Sequence, residues 1–304
     1  MEIGLYGEKF TKAYFMIKRI SRKELNIEKY TECLHNSVNY RIYAESWYLD
    51  ALVNKNWDCL VLNDYEAIMP LPFTRKIGII FITQPTYCQQ LGVFHTSNFT
   101  KVIFQEFEKR LHRNLVRSYA FNEENTEMFQ PDGKLKINQI LDLNFNYPEY
   151  LKSIRKDRKH QINKGLSDSY SISESYFDKD FIQLLKENYT EIKGQLQLES
   201  LAKLVKEIQA KKLGLTLNLK HENNIIASSF YLRSKNRLIQ LCNAKSPQGN
   251  INFNTFIVDY IIQNNLNQDL ILDFEGSSLK GVQDFNSSFR AEVKYFTIYK
   301  NLPI

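Results

Sequence analysis

Short apolar runs broken by polar turn residues organise the chain. Residues 57 to 63, 65 to 73 and 78 to 84 are strand-like, with breaks at Asp64 and around Lys76, which predicts three consecutive antiparallel strands. Residues 215 to 221, 225 to 233 and 238 to 242 repeat the plan, with breaks at Asn223 and Asn224 and at Lys235 and Asn236. A helical pattern precedes each meander, at 43 to 52 and 198 to 212, and another follows, at 99 to 111 and 253 to 265. Ser97 or Asn98 is the expected N-cap of the first following helix and Asn252 that of the second. The repeated order predicts an α+β fold of two units with one architecture, each a mixed, largely antiparallel sheet flanked by helices. Their boundary is expected near Gly133, giving residues 1 to 133 and 134 to 304. Pro70 and Pro72 lack amide donors, so their strand is expected to be an edge, bulged or locally unpaired.

Two segments carry chemistry. In the apolar run at 270 to 275, period two puts Leu270, Leu272 and Phe274 on one face and Ile271, Asp273 and Glu275 on the other. Two acids on one strand face need a cation, a donor or a substrate, and Gly276 permits a sharp turn after them. A structural ion pair and a site are both open readings. The second segment is a basic helix expected over 149 to 166. Leu151, Ile154 and Ile162 form its apolar stripe, Arg155 and Arg158 fall within that stripe, and Lys156, Lys159, His160 and Lys164 fall outside it as a solvated face. An inward guanidinium suits a carboxylate or phosphate in a cleft, or else pairs with protein acids such as Asp273 or Glu275.

Composition narrows the classes. With 304 residues, 43% of them hydrophobic, the chain is long enough for one large core or two domains. A net charge of +6 is modest for this length and suits an anionic small ligand better than duplex DNA. Cys33, Cys59, Cys88 and Cys242 are far apart and without CxxC spacing, which reads as reduced packing residues in a cytoplasmic protein. No apolar run reaches membrane-spanning length. The histidines at 35, 95, 112, 160 and 221 form no metal spacing, so no metal is expected. Nucleophile-elbow, P-loop and dinucleotide motifs are missing, which removes motif support for hydrolase, kinase and Rossmann readings.

Taken in order, SWYLDAL, WDCLVLNDYEAIMPLPFTRK, QPTYCQQLG, SIRKDRKHQINK, IIASSFYL, LDFEGSSLKGVQDF and the closing YKNLP resemble the Fem-type branch of the GNAT N-acyltransferase superfold, over roughly residues 16 to 304. By this resemblance Met16 is a candidate start and residues 1 to 15 an extension. The resemblance implies two tandem GNAT-like domains and transfer of an acyl group to an amine, from aminoacyl-tRNA in Fem-type members and from acyl-coenzyme A in other GNAT proteins. Small-molecule or peptide amines are the implied acceptors and tRNA a possible partner. The Fem-type Phe-Lys-x-x-Phe-Gly motif reads Phe285, Asn286, Ser287, Ser288, Phe289, Arg290 here, with the Lys and Gly replaced. Asn286 can donate a hydrogen bond without a full charge, which leaves Arg290 or Lys280 to supply one.

These considerations give a set of expected site residues. The donor is expected near residues 241 to 244, Asn243 among them, with its phosphates toward Asn250 to Asn254, Asn252 included, at a helix N-terminus. Glu275 is the expected base or amine anchor, Asp273 its orienter or an arginine partner, and Arg155 and Arg158 the anion-binding pair. Tyr231 is a general-acid candidate whose alternative is a half-buried strand tyrosine. The competing reading is an inactive GNAT-like module that binds a peptide, lipid headgroup or RNA end.

Overall fold

The structure, a computed structural model, describes residues 16–165, 169–175, 179–188, 192–222, 224–246, 253–276 and 279–302. The chain enters through β1 (Ile17–Ser21) and α1 (Ile27–His35), makes a 3-10 turn at Ile42–Ala44, and continues into α2 (Ser46–Val53). The first predicted meander follows as β2 (Trp57–Leu62), β3 (Ala67–Lys76) and β4 (Ile79–Thr83). Next come β5 (Phe94–His95), α3 (Lys101–His112), β6 (Val116–Phe121), α4 (Glu123–Phe129) and β7 (Lys134–Asp142). Beyond them lie α5 (Tyr147–Ser153), α6 (Lys156–Lys164), β8 (Tyr170–Ser175), α7 (Lys179–Asn188) and α8 (Ile192–Ala210). The second meander is β9 (Gly214–His221), β10 (Asn224–Ser234) and β11 (Arg237–Lys245), and the chain closes with α9 (Phe253–Asn264), β12 (Ile271–Asp273), α10 (Lys280–Ser287) and β13 (Glu292–Tyr299).

The strands join in one sheet, ordered β1-β2-β3-β4-β6-β13-β7-β12-β11-β10-β9-β8, with β5 on β3. Both meanders are antiparallel, and each is extended by a parallel partner reached through a helix: β6 beside β4 through α3, and β12 beside β11 through α9. The strands that follow those partners then exchange places. β7 pairs antiparallel with β12 of the second meander's sheet, the last strand β13 returns to pair with β6 of the first, and β7 and β13 pair with each other. Strands distant in sequence are therefore neighbours at the middle of the sheet.

The period-two pattern of β10 divides the core. Phe230 and Leu232 lie on the side of α7 and belong to one buried cluster with Phe181, Leu185 and Leu204, a cluster that continues into the first half through Trp57, Phe104 and Phe121. Tyr231 faces the opposite way, toward α9 and Leu272, Phe274 and Phe289. Helix α8 also lies against α2, so the helices before the second meander fill space beside the first half. Within the first meander, β3 pairs with β5 through Ala67 and Ile68 and with β4 from Phe73 onward. The stretch between, which holds Pro70 and Pro72, has no ladder partner on that side, as their missing amides require. The Tyr119 hydroxyl instead donates to the Pro70 carbonyl at 3.0 Å.

Two local expectations need correction, and a third falls on a residue that is not described. The N-cap of α3 is Thr100, whose hydroxyl accepts from the Ile103 amide, rather than Ser97 or Asn98. Asn252 lies outside the described residues. The single basic helix over 149 to 166 is two helices, because Ile154 (ψ 164°) and Arg155 (ψ 139°) are extended and the Arg155 amide donates to the Ser288 carbonyl at 3.2 Å. The break rotates α6 relative to α5, so Arg158 turns inward and is 5% exposed while Arg155 is left on the surface.

Candidate functional site

A cleft of about 630 Å³ opens where β11 and β12 part. The two strands pair only from Arg237 to Ile239 opposite Ile271 to Asp273, after which β11 continues through Gln240 to Lys245 without that partner. In this stretch β11 also bulges: Phe230 of β10 faces Cys242 and Tyr231 faces Gln240, so Leu241 has no opposite residue. A bulged strand beside a lost partner exposes main-chain donors and acceptors to whatever fills the gap. Gln240, Leu241, Cys242, Asn243 and Lys245 of β11 line the cleft, with Asn254 from α9, Phe274 and Glu275 from the turn after β12, and Phe285 and Asn286 from α10. Arg158 and Gln161 of α6 form another wall, and Tyr87 reaches in from the first half.

Glu275 stands at the foot of this gap. Strand β12 ends at Asp273, two residues earlier than expected, and Glu275 itself takes the left-handed conformation (φ 47°). Its amide donates to Asp273 Oδ1 at 2.9 Å. Gly276 is required for close approach rather than for the turn, since a Cβ there would lie 1.9 Å from the Ile137 carbonyl oxygen. Burial pushes the Glu275 carboxyl up to about 8; a bond donated by the Tyr43 hydroxyl opposes the rise and Asp273 adds to it. Tyr43 lies in the 3-10 turn of the first half, so both halves build the environment of this carboxyl. Burial and the neighbouring Glu275 both hold the Cys242 thiol well above its ordinary range, so it is no ready nucleophile.

Asp273 is not paired with Arg155 or Arg158. It accepts from Arg237 Nη1 at 2.6 Å and from Asn138 Nδ2 at 3.0 Å. Arg237 Nη2 donates to Glu123 Oε2 at 2.8 Å, and Arg41 Nη2 donates to the same oxygen at 3.1 Å. Asn138 completes the connection, donating to Glu123 Oε1 at 2.7 Å and accepting from the Gly276 amide at 2.7 Å. Burial works against the Glu123 charge, yet Arg41 and Arg237 hold its pKa down to about 2. The turn that carries Glu275 is thus anchored to a buried ion network running from β12 to the first turn of α4.

The other expected residues separate into those at the cleft and those away from it. Asn243, Asn254 and Asn286 line it, and the Asn254 Oδ1 atom is buried without a hydrogen-bond partner. The Asn286 amide donates to Gln139 Oε1 at 3.0 Å. Lys280 is exposed and Arg290 donates to the Ser153 carbonyl at 2.6 Å, and neither lines the cleft. Tyr231 is fully buried, accepts from Gln240 Nε2 at 3.3 Å, and does not reach the cleft wall. Tyr43, Asn138, Arg237 and Glu123 were not singled out in the sequence. Arg237 follows a turn and gives no local signal; only the register that pairs it with Ile271, and Ile239 with Asp273, puts it on the strand face that Asp273 shares. Glu108, His112 and Asp132 bring one ligand atom each within 4.8 Å of one another, but none of them lines the cleft, and Glu108 Oε1 is engaged by the Asp132 amide at 2.7 Å. Among the described residues no helix is long and apolar enough to cross a membrane.

No protein-family model and no curated protein matches the sequence. Solved structures do match. FemX superposes over 93% of this chain and 97% of its own, with a TM-score of 0.58 and 9% identity. A tandem GNAT protein from the clavulanic acid biosynthesis pathway covers 96% of this chain and 100% of its own (TM-score 0.57, 7% identity). L-PGS from Bacillus licheniformis covers 91% and 93% (TM-score 0.50, 13% identity). At these identities the likeness concerns the fold, and the chain shares its fold with FemX and with a tandem GNAT protein, as its resemblance to the Fem-type branch of GNAT implied.

Proposed function

We propose that the protein is an N-acyltransferase or aminoacyltransferase that moves an acyl group from acyl-coenzyme A or aminoacyl-tRNA to an amine, with the chemistry at Glu275. The observation that carries this reading is a carboxyl with a pKa pushed up to about 8, in the gap between two parted strands that line a cleft of about 630 Å³. Transfer to an amine needs an uncharged nucleophile, and a base with a pKa near the working pH is suited to removing its proton. The amine nitrogen attacks the acyl carbon and forms the new C–N bond. The bond to the thioester sulfur, or to the ribose oxygen of a charged tRNA, then breaks. Glu275 accepts the proton lost by the amine and passes it to the departing thiolate or alkoxide, so the enzyme ends as it began. Main-chain amides on the β12 side of the stretch Gln240 to Lys245, which pairs there with no strand beyond Ile239, are the proposed donors to the carbonyl oxygen and to an extended donor arm, with Asn243 and Asn254 beside it. Asp273 acts on Glu275 through its main chain.

The FemX and tandem GNAT neighbours favour this chemistry by fold, and a small-molecule or peptide amine is the proposed acceptor. We propose further that the chain divides near Gly133, between α4 and β7, and that four unpaired thiols suit a reducing, cytoplasmic setting. A second reading, a binding module without turnover, is favoured by one observation: Asn286, Lys280 and Arg290 place no cation at the cleft wall where the Fem-type motif has lysine. Thermal-shift titration with acetyl-coenzyme A, longer acyl-coenzyme A species and charged tRNA, followed by mass analysis of amine products, tests the two. Saturable binding of one donor with product formation supports transfer. Binding without product selects the module, and no shift with any donor rejects the transferase.

A further inference from the structure

Two arginines and two acids meet at the junction of α6 and α10, and their pairing is uneven. Exposed Arg155 takes both acids: its Nε and Nη2 donate to the Asp157 carboxylate at 2.7 and 2.8 Å, and its Nη1 donates to Asp284 Oδ1 at 2.8 Å. Buried Arg158 takes neither. Its Nε donates to Ser288 Oγ at 2.9 Å, its Nη1 donates to Gln161 Oε1 and to the Thr255 hydroxyl, and its guanidinium lies over the rings of Phe285 and Phe289, 4.7 and 5.3 Å from their centroids. All these partners are neutral, and among the described residues no carboxylate forms an ion pair with Arg158. A cation that is 5% exposed and unpaired is costly, because burial removes its hydration and neutral groups replace only part of it. Arg158 nevertheless lines the same cleft as Glu275, beside the unpartnered Asn254 Oδ1.

We infer that the ligand of this cleft carries a carboxylate or phosphate that docks on Arg158, and that Arg155 keeps Arg158 available by engaging Asp157 and Asp284, which line the same cleft, so that neither pairs with it. The aromatic pair fixes the guanidinium plane, and the two hydroxyls and Gln161 leave Nη2 as the donor for the anion. Arg155 is then a positioning residue that acts without touching the ligand. The inference deepens the acyl-transfer reading and rests on the same cleft, but its readout is binding.

The test is calorimetric titration of the full chain with inorganic pyrophosphate and with acetyl-coenzyme A, at low and moderate salt. Arg158→Met keeps the apolar stem against the two phenylalanines and is expected to lose on the order of 30-fold or more in anion affinity. Arg155→Ala, a surface change, is expected to lose about threefold, and Asp284→Asn added to it is expected to restore the loss. If Arg158→Met weakens acetyl-coenzyme A but not acetyl-pantetheine, the anion belongs to the donor. If instead it raises the KM for glycine but not for glycinamide, the anion belongs to the acceptor. Anion binding that depends on Arg158, with no acyl transfer by the wild-type protein, upholds the inference and removes the transferase reading. Wild-type affinity in folded Arg158→Met, or an Arg155→Ala effect that Asp284→Asn leaves unchanged, overturns it.

Discussion

The hydroxyl of Tyr43 donates to the carboxyl of Glu275, joining the 3-10 turn before α2 to the turn after β12. Tyr43 is fully buried, and burial together with Glu275 holds its own hydroxyl well above the ordinary range, so it remains a donor. Because this bond favours the charged form of Glu275, Tyr43→Phe is expected to raise the Glu275 pKa above about 8. The pH profile of acyl transfer, or a titration of the carboxyl by NMR, should show the midpoint moving upward; a midpoint that stays or falls contradicts the assignment.

Glu275 also makes stability depend on pH. Its folded pKa, about 8, is above the ordinary 4.5, so between those values the folded protein retains a proton that the unfolded chain has released. The stabilisation from that proton is complete below about pH 4.5 and is lost as the pH rises through 8. Glu275→Gln keeps an acceptor for Tyr43 and has no charge to bury, so its melting temperature should exceed the wild-type value at pH 9, with the gap closing at pH 5.

Glu123 behaves in the opposite sense. Held at about 2 by Arg41 and Arg237, it contributes stability that is present above about pH 4.5 and lost as the pH falls through 2. Glu123→Gln removes the carboxylate shared by two buried guanidinium groups, each of which keeps another acid, Glu124 for Arg41 and Asp273 for Arg237, and is expected to cost about 1–3 kcal/mol at pH 7. Urea unfolding at pH 7 and again near pH 2 should show that cost shrinking in acid.

How much of this was legible in the sequence differs from residue to residue. The two meanders were readable because turn residues such as Asp64 and Asn236 punctuate apolar runs, a local signal that tertiary packing reinforces. Glu275 was visible as one of two acids on a single strand face, and Arg158 as a charge within an apolar helix stripe. The break between α5 and α6 was not, because no proline or glycine marks it and its cause is a bond from the Arg155 amide to Ser288 on a distant segment. Arg237 reads locally as part of a polar hairpin, and its burial appears only once β12 and α4 bring Asp273 and Glu123 to it. Tyr43 and Asn138 depend likewise on long-range pairing, including the exchange of β7 and β13, which local pattern does not encode.

Tyr231 offers a control. Its ring lies in the second core and its hydroxyl accepts from Gln240, so Tyr231→Phe is expected to cost about 0.5–1.5 kcal/mol of stability and to leave acyl transfer within about twofold of wild type. A large loss of turnover with the fold intact would restore it as a general acid.

Gly276→Ala tests the anchoring of the turn. Its Cβ would overlap the Ile137 carbonyl, and main chain has little room to yield, so the change should displace Glu275 and destabilise the protein by about 2–4 kcal/mol. Thermal unfolding of Gly276→Ala beside Gly281→Ala, where an added Cβ meets nothing within 4 Å, separates this contact from the general effect of removing a glycine.

The central claim is that Glu275 takes the amine proton during acyl transfer, and the most direct measurement is the rate of acylated-amine formation against pH for wild type and Glu275→Gln, supplied with whichever donor binds. The account predicts a wild-type rate that rises with pH to a midpoint near 8, and a fall of about 10²-fold or more in Glu275→Gln with donor binding retained. An equal rate in Glu275→Gln, or a wild-type profile flat across pH 6 to 9, would contradict it.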